Sequence, residues 1–227
     1  MNEKFSIYEI LSLLVPGSLL LSLIAICFPG IATQARIADL PEAFSVIVLT
    51  ALALFLGHVV QAVASIIEPV LERTWGGRLS EQCLQKGLGN RYVPTDSAQR
   101  IRAKLATVVG SAASDRSIFL YAMQQAEGAG SARVATFNAA YAYHRALFVL
   151  TVFGIGTLMT AVCRGSLKSW SWQGTLGLFI AGFGLLLLVW YRTKQRGMYY
   201  VREVLFTAER VLEERTGNPK ATTNNHT

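Results

Sequence analysis

The stretch Ala53–Glu68, "ALFLGHVVQAVASIIE", is apolar for most of its length but contains a histidine and a glutamine. It lies in the gap between Glu42 and Glu68, where no aspartate, glutamate, lysine or arginine occurs. Such a gap supplies the roughly 20 apolar residues that a membrane-spanning helix needs. The stretch therefore predicts a helix that crosses a bilayer and carries two polar side chains within it.

Three further long gaps separate charged residues along the chain: Glu9 to Arg36, Arg145 to Arg164 and Lys168 to Arg192. A charged side chain at the bilayer centre costs roughly 2.5 to 3.5 kcal/mol, so such gaps are typical of membrane spans. The composition agrees, since 52% of the residues are hydrophobic and only 15% are charged. We predict an all-α membrane protein with four transmembrane helices in two hairpins, near residues 8–29, 44–67, 146–163 and 174–191.

The first apolar segment also has features of a secretory signal peptide. Small residues in "ATQA", residues 32–35, stand where a signal peptidase would cleave. Against cleavage, Glu9 interrupts the start of the segment, and the apolar run is longer than the core of a signal peptide. We therefore favour a retained first span.

The positive charges predict the orientation, because cytoplasmic segments of membrane proteins retain lysine and arginine. Of the 21 such residues, 18 lie at the amino terminus, between the second and third predicted spans, or beyond the fourth. Both termini and the central segment are therefore expected to be cytoplasmic.

The predicted spans and the charged segments between them divide the chain into five regions. We predict a first transmembrane hairpin at 1–69, a small helical cytoplasmic insert at 70–131, a rod-like helix continuing into the second hairpin at 132–195, an amphipathic cytoplasmic helix at 196–217 and a disordered tail at 218–227. Residues 132–163 contain no helix breaker and would form a rod of roughly 48 Å. The amphipathic helix would pack on the insert, on a neighbouring subunit or on the lipid surface.

The polar side chains of the second span share a helix face with small residues. This face consists of Ala53, Gly57, His58, Gln61, Ala64, Ser65 and Glu68. Small residues let helices approach closely in lipid, and polar side chains form hydrogen bonds across the contact. The face would pack against another span of the same chain, or line a contact between subunits or a wet pathway. A catalytic or proton-relaying His58 has less support, because no intramembrane partner stands at a recognisable spacing.

Glycines offer a similar close-contact surface on the third and fourth spans. They are Gly154 and Gly156 on the third, and Gly177, Gly182 and Gly184 on the fourth. No full GxxxG motif occurs there, so packing within the chain is favoured over contact between subunits.

The predicted insert carries a basic helix face formed by Arg100, Arg102 and Lys104. Such a face docks nucleic acid, a nucleotide or anionic lipid, or is merely solvated. Catalytic signatures are missing, including a Gly-rich phosphate loop, HExxH and GxSxG. The three cysteines show no ligand spacing. We therefore predict no catalytic residue, no cofactor, no metal site and no enzymatic activity.

Two motifs and the overall plan carry a family resemblance. "FNAAYAYHRALF", residues 137–148, leads into the third span, and "RGMYYVREVL", residues 196–205, follows the fourth. With its paired hairpins and helical insert, the chain resembles small inner-membrane proteins of bacterial anti-phage loci, and is similar to the transmembrane effectors partnered with retrons.

The resemblance implies a toxin-like effector of the bacterial inner membrane. Its partners would be the lipid bilayer, further copies in a homo-oligomer, and a reverse transcriptase with its reverse-transcribed DNA as cytoplasmic inhibitor. Release from that inhibitor would let it damage the membrane. The residues themselves also allow a non-toxic channel or transporter subunit, or a membrane anchor for a soluble partner.

Overall fold

The computed structural model describes residues 7–28, 30, 41–165 and 171–217. The candidate cleavage site at 32–35 and the predicted disordered tail at 218–227 lie outside these ranges. The described part is all-helical and contains no strand.

Seven helices make up the described part. In chain order they are α1 (Ile7–Cys27), α2 (Glu42–Thr74), α3 (Leu79–Lys86), α4 (Thr95–Val109), α5 (Asp115–Gly128), α6 (Ala132–Cys163) and α7 (Trp172–Gly217). Four of them, α1, α2, α6 and α7, are long and apolar enough to cross a bilayer. Each of the four predicted spans falls on one of these helices.

The chain divides into two compact units. We call residues 1–68 and 139–194 the apolar unit, and residues 69–138 and 195–227 the polar unit. Helices α2, α6 and α7 each contribute residues to both units.

The core of the apolar unit lies between α2 and α6. Val60 and Ala64 of α2 pack against Val149 and Leu150 of α6, and Leu20 of α1 joins this cluster. Many other large apolar side chains remain exposed, such as Ile66 at 76%. A surface of this kind suits lipid better than water.

The polar unit has a core of its own. Its largest fully buried side chains come from α3, α4, α5 and the last part of α7, namely Leu84, Ile101, Leu105, Ile118, Val204 and Leu205. The chain leaves α2 through Gly76 and Gly77, whose φ angles of +89° and +118° suit glycine and few other residues.

The fourth span and the amphipathic helix expected at 196–217 form one continuous helix, α7, of 46 residues. The segment that joins them, "RTKQRGMYY", contains no proline and several good helix formers, so nothing in it ends the helix. Of the three placements considered for the amphipathic part, the structure shows packing against the insert, since Tyr199 contacts Tyr92 with ring centroids 5.1 Å apart.

Candidate functional site

The predicted polar face of α2 has two sides in the structure. Ala53, Gly57 and Ala64 are buried, whereas His58 and Ser65 are exposed. Gln61 and Glu68 lie between these extremes. The seven residues therefore do not form one continuous contact surface.

At Ala53 and Gly57, the buried side lies directly against α1. A Cβ atom added to Gly57 would lie 2.1 Å from the carbonyl oxygen of Leu13. On α1, a Cβ added to Gly17 would lie 1.6 Å from the carbonyl oxygen of Ala53. The two helices thus touch backbone to backbone, and only glycine fits at either position.

Gln61 finds its partner on α1 as well. Its Nε2 donates to the carbonyl oxygen of Ser12 at 3.2 Å and lies 3.5 Å from the Ser12 hydroxyl. Ser12 is 7% exposed, so the contact is shielded. An unpaired amide in hydrocarbon would cost a few kcal/mol, about 2 or more, and this hydrogen bond removes that cost. Packing within the chain therefore explains the glutamine in the apolar run.

Glu68, at the end of the face, belongs to a cluster with α6. Its carboxylate forms an ion pair with Arg145 and accepts a hydrogen bond of 2.9 Å from the hydroxyl of Tyr141. The Arg145 guanidinium carbon lies 4.7 Å from the centroid of the Tyr141 ring. The Arg145 and Glu68 side chains are 14% and 29% exposed. The cluster holds α2 and α6 together by charge.

The sequence alone did not predict Arg145 and Tyr141 as partners of Glu68. A signal was present, because Glu68 and Arg145 are the charged residues that bound two neighbouring apolar gaps. If both gaps span a bilayer with the insert between them, these two ends lie at the same depth.

The remaining two polar side chains of the face point away from this packing. The Ser65 hydroxyl donates to the Gln61 carbonyl oxygen of its own helix at 3.0 Å. His58 makes no hydrogen bond or ion pair with any residue in the described ranges. Within this face, His58 is therefore the polar side chain that the described ranges leave without a partner.

Most glycines of the third and fourth spans also have open space around them. Gly182 of α7 meets Ile155 of α6, with 3.3 Å from an added Cβ to the side chain. For the other four, an added Cβ would have no neighbour within 4 Å among the described residues: Gly154, Gly156, Gly177 and Gly184.

The three basic residues predicted to dock a partner are each paired with a carboxylate. Arg100 donates to both oxygens of Glu209, at 3.0 and 3.3 Å. Lys104 donates to Glu209 at 2.8 Å and to Glu213 at 2.5 Å. Arg102 instead donates to Asp115 of α5 at 2.7 Å. Two of the three therefore bind α7, and the third binds α5.

Among Arg100, Lys104, Glu209 and Glu213, the buried residue is Glu209. The Glu209 side chain is 8% exposed, against 55% for Arg100 and 38% for Lys104. Burial alone raises the pKa of Glu209, but hydrogen bonds from Arg100 and Lys104 outweigh it, so its pKa lies below the ordinary value. The pKa of Asp115 is lowered in the same way by Arg102, against its own burial. Both acids are thus ionised near neutral pH.

Glu209 and Glu213 were not predicted from the sequence as partners of the basic face. The available signal was their spacing, since both the acids and the bases Arg100 and Lys104 stand four residues apart on a helix. Two helices that pack side by side can match such pairs.

Cys83 is fully buried in the polar unit. Burial raises the pKa of its thiol to about 12, so the thiol stays protonated and unreactive. Within the described ranges, no three histidine, cysteine, aspartate or glutamate residues are grouped so that they could hold a metal ion.

No protein-family model matches the chain, and neither a curated protein nor a solved structure is significantly similar to it.

Proposed function

We propose that this chain is a membrane-damaging effector of a bacterial antiviral defence system. It spans the inner membrane four times in two hairpins, with both termini and the polar unit in the cytoplasm. A nucleoprotein partner, a reverse transcriptase with its nucleic acid, keeps it inactive, and on release it permeabilises the membrane as a homo-oligomer. Three features support this proposal. They are the four apolar helices, the distribution of positive charge, and the motifs at 137–148 and 196–205 that resemble retron-associated effectors.

The observation that carries the proposal is the outer surface of the apolar unit. There α2 exposes His58, and α6 and α7 expose glycines with open space around them. In hydrocarbon, an unsatisfied imidazole is costly and exposed glycine permits close helix approach. Contact with further copies of the chain, or a water-filled lumen between them, satisfies both features.

Control of the effector is assigned to the polar unit. Arg100, Arg102 and Lys104 remain partly exposed although each is paired, so a polyanionic partner can still approach them. Because α2, α6 and α7 contribute to both units, a rearrangement of the polar unit acts on the same helices that cross the membrane.

The proposal is tested by expressing the chain in bacteria, alone and with the proteins encoded beside it. We expect depolarisation and loss of viability with the chain alone, and rescue by the neighbours. His58→Leu should abolish depolarisation at equal membrane abundance, whereas Val59→Leu, at the adjacent exposed position, should retain it.

Other outcomes would favour the other functions. Harmless expression with uptake of a specific solute would indicate a channel or transporter subunit. Recruitment of a soluble partner to the membrane, with no depolarisation by any variant, would indicate an anchor.

The proposed orientation has a separate test. Reporter fusions after Arg36 and Lys168 should signal from outside the cytoplasm, and fusions after Gly110 and Thr227 from inside it. An outside signal at Gly110 would contradict both the orientation and the docking of a cytoplasmic partner.

A further inference from the structure

Two matched charge pairs join α4 to the last part of α7. Arg100 and Lys104 stand one turn apart on α4, and Glu209 and Glu213 stand one turn apart on α7. Glu209 takes hydrogen bonds from both cations, and Lys104 also reaches Glu213. The carboxylates therefore occupy the basic face in the way an external anion would.

The exposure of these groups is uneven. Glu209 is buried in the contact, whereas both cations still reach solvent. An incoming polyanion would meet the cations from the open side and compete for their N–H groups. Its negative charge would also come close to Glu209, and repulsion between like charges opposes joint binding.

We propose that the last part of α7 is an internal competitor for the basic face. Glu209 and Glu213 occupy Arg100 and Lys104 in the absence of ligand, and a soluble phosphate-bearing polyanion that binds these cations displaces the two carboxylates and loosens this part of α7 against α4. The chemistry of the ligand rests on the proposed function, but the displacement itself does not. Because the coupling is reciprocal, releasing α7 strengthens polyanion binding by the same factor.

Arg102 provides an internal reference. It binds Asp115 of α5 and no residue of α7 among the described residues, so the α4–α5 contact does not depend on Glu209 or Glu213. Displacement of α7 should leave α5 in place.

The experiment measures hydrogen exchange of the full chain in nanodiscs of zwitterionic lipid, with inorganic polyphosphate or with sodium chloride at equal ionic strength. We expect polyphosphate to speed amide exchange across residues 205–213 several-fold and to leave residues 115–128 unchanged. Sodium chloride should have a much smaller effect, because chloride ions screen the charges of Arg100 and Lys104 but do not bind both side chains together.

Two double variants, each of which loses two negative charges, sharpen the result. Glu209→Gln with Glu213→Gln removes the internal competitor, whereas Glu127→Gln with Glu214→Gln removes two exposed acids of the same unit. The first variant should bind polyphosphate several-fold more tightly than the second, and residues 205–213 should already exchange faster without ligand. Unchanged exchange at 115–128 would show that both variants are folded.

Several results would overturn the inference. They are polyphosphate binding with full protection of residues 205–213, equal affinity of the two variants, and no binding at all. Loosening of α7 by nanodiscs of anionic lipid alone would assign the ligand to the membrane instead. None of these readouts involves membrane damage, so a chain that depolarises cells yet fails here contradicts only this inference, and a harmless chain that succeeds here contradicts only the proposed function.

Discussion

The two units of this molecule satisfy their buried polar groups in different ways. In the apolar unit, Gln61 reaches a neutral serine across a contact in which two backbones touch at Gly17 and Gly57. In the polar unit, the buried carboxylate of Glu209 is held by cations that remain in contact with solvent. Steric fit determines the first contact, and charge determines the second.

This difference indicates which unit is suited to respond to conditions. A backbone contact inside an apolar unit does not change with salt or with modest changes of pH. Ion pairs with exposed members are weakened by salt and by competing ions. The contact at Glu209 is therefore more open to a competing ion than the contact at Gln61.

The largest expected effect comes from closing the space between α1 and α2. Gly57→Ala should destabilise the chain by about 3 kcal/mol or more, because neither backbone can move away without losing the helix contact. Gly154→Ala, which meets open space, should be neutral or stabilise by up to about 1 kcal/mol through helix propensity. Unfolding of both variants in detergent micelles measures the difference, and equal destabilisation would mean that α1 and α2 do not touch at Gly57.

The charge cluster of the apolar unit should come next. Glu68→Ala leaves the Arg145 guanidinium, 14% exposed, without its counterion. We expect a loss of about 2 kcal/mol, less than for a fully buried pair because Glu68 retains contact with solvent. Glu42→Ala, at the exposed start of α2, is the control and should change stability by less than about 0.5 kcal/mol. A matching loss for Glu42→Ala would show that the pair contributes nothing specific.

In the polar unit, removing the cations and removing the buried acid should destabilise the chain to different extents, and this difference tests the comparison directly. Replacing Arg100 and Lys104 together by glutamine leaves the buried Glu209 carboxylate without its charged donors and should destabilise the polar unit. Glu209→Gln leaves only solvated cations and should cost less. Combining the three changes should recover much of the loss in a double-mutant cycle. Additive costs would contradict the assignment of Glu209 as the buried partner.

The smallest expected effect is the dependence of the stability of the polar unit on acid pH. The pKa values of Glu209 and Asp115 are lowered in the folded chain, so their stabilisation is complete above the unfolded values of about 4.3 and 3.9. It is lost as the pH falls through the lower folded values. The hydrogen-exchange protection factors of residues 205–213, followed from neutral pH to below about pH 4, should fall and so show this loosening. Glu209→Gln should flatten the profile, and an unchanged profile would remove Glu209 as its cause.

Much of the fold could be predicted from local pattern. The gaps between charged residues located all four apolar helices, because a charge in the bilayer core is too costly for a span to contain. The uninterrupted sequence from Ala132 to Cys163 predicted a single helix, which α6 is.

The site could be predicted only in part. Sequence spacing identified the small and polar residues of α2, and it also identified the basic face of α4. It did not separate the buried Gly57 and the half-buried Gln61 from the exposed His58. The direction of a neighbouring helix, which makes that distinction, is not encoded in the period of one helix.

The sequence by itself determined which segments are helical, which are apolar enough to cross a membrane, and which faces carry polar groups. These properties follow from side-chain chemistry and from the helical period, and both are local. Only the tertiary structure decided the partners: Ser12 for Gln61, 49 residues away, and Glu209 for Arg100, 109 residues away. A side chain of given polarity is compatible with many partners, and packing of the whole chain selects the one that satisfies it.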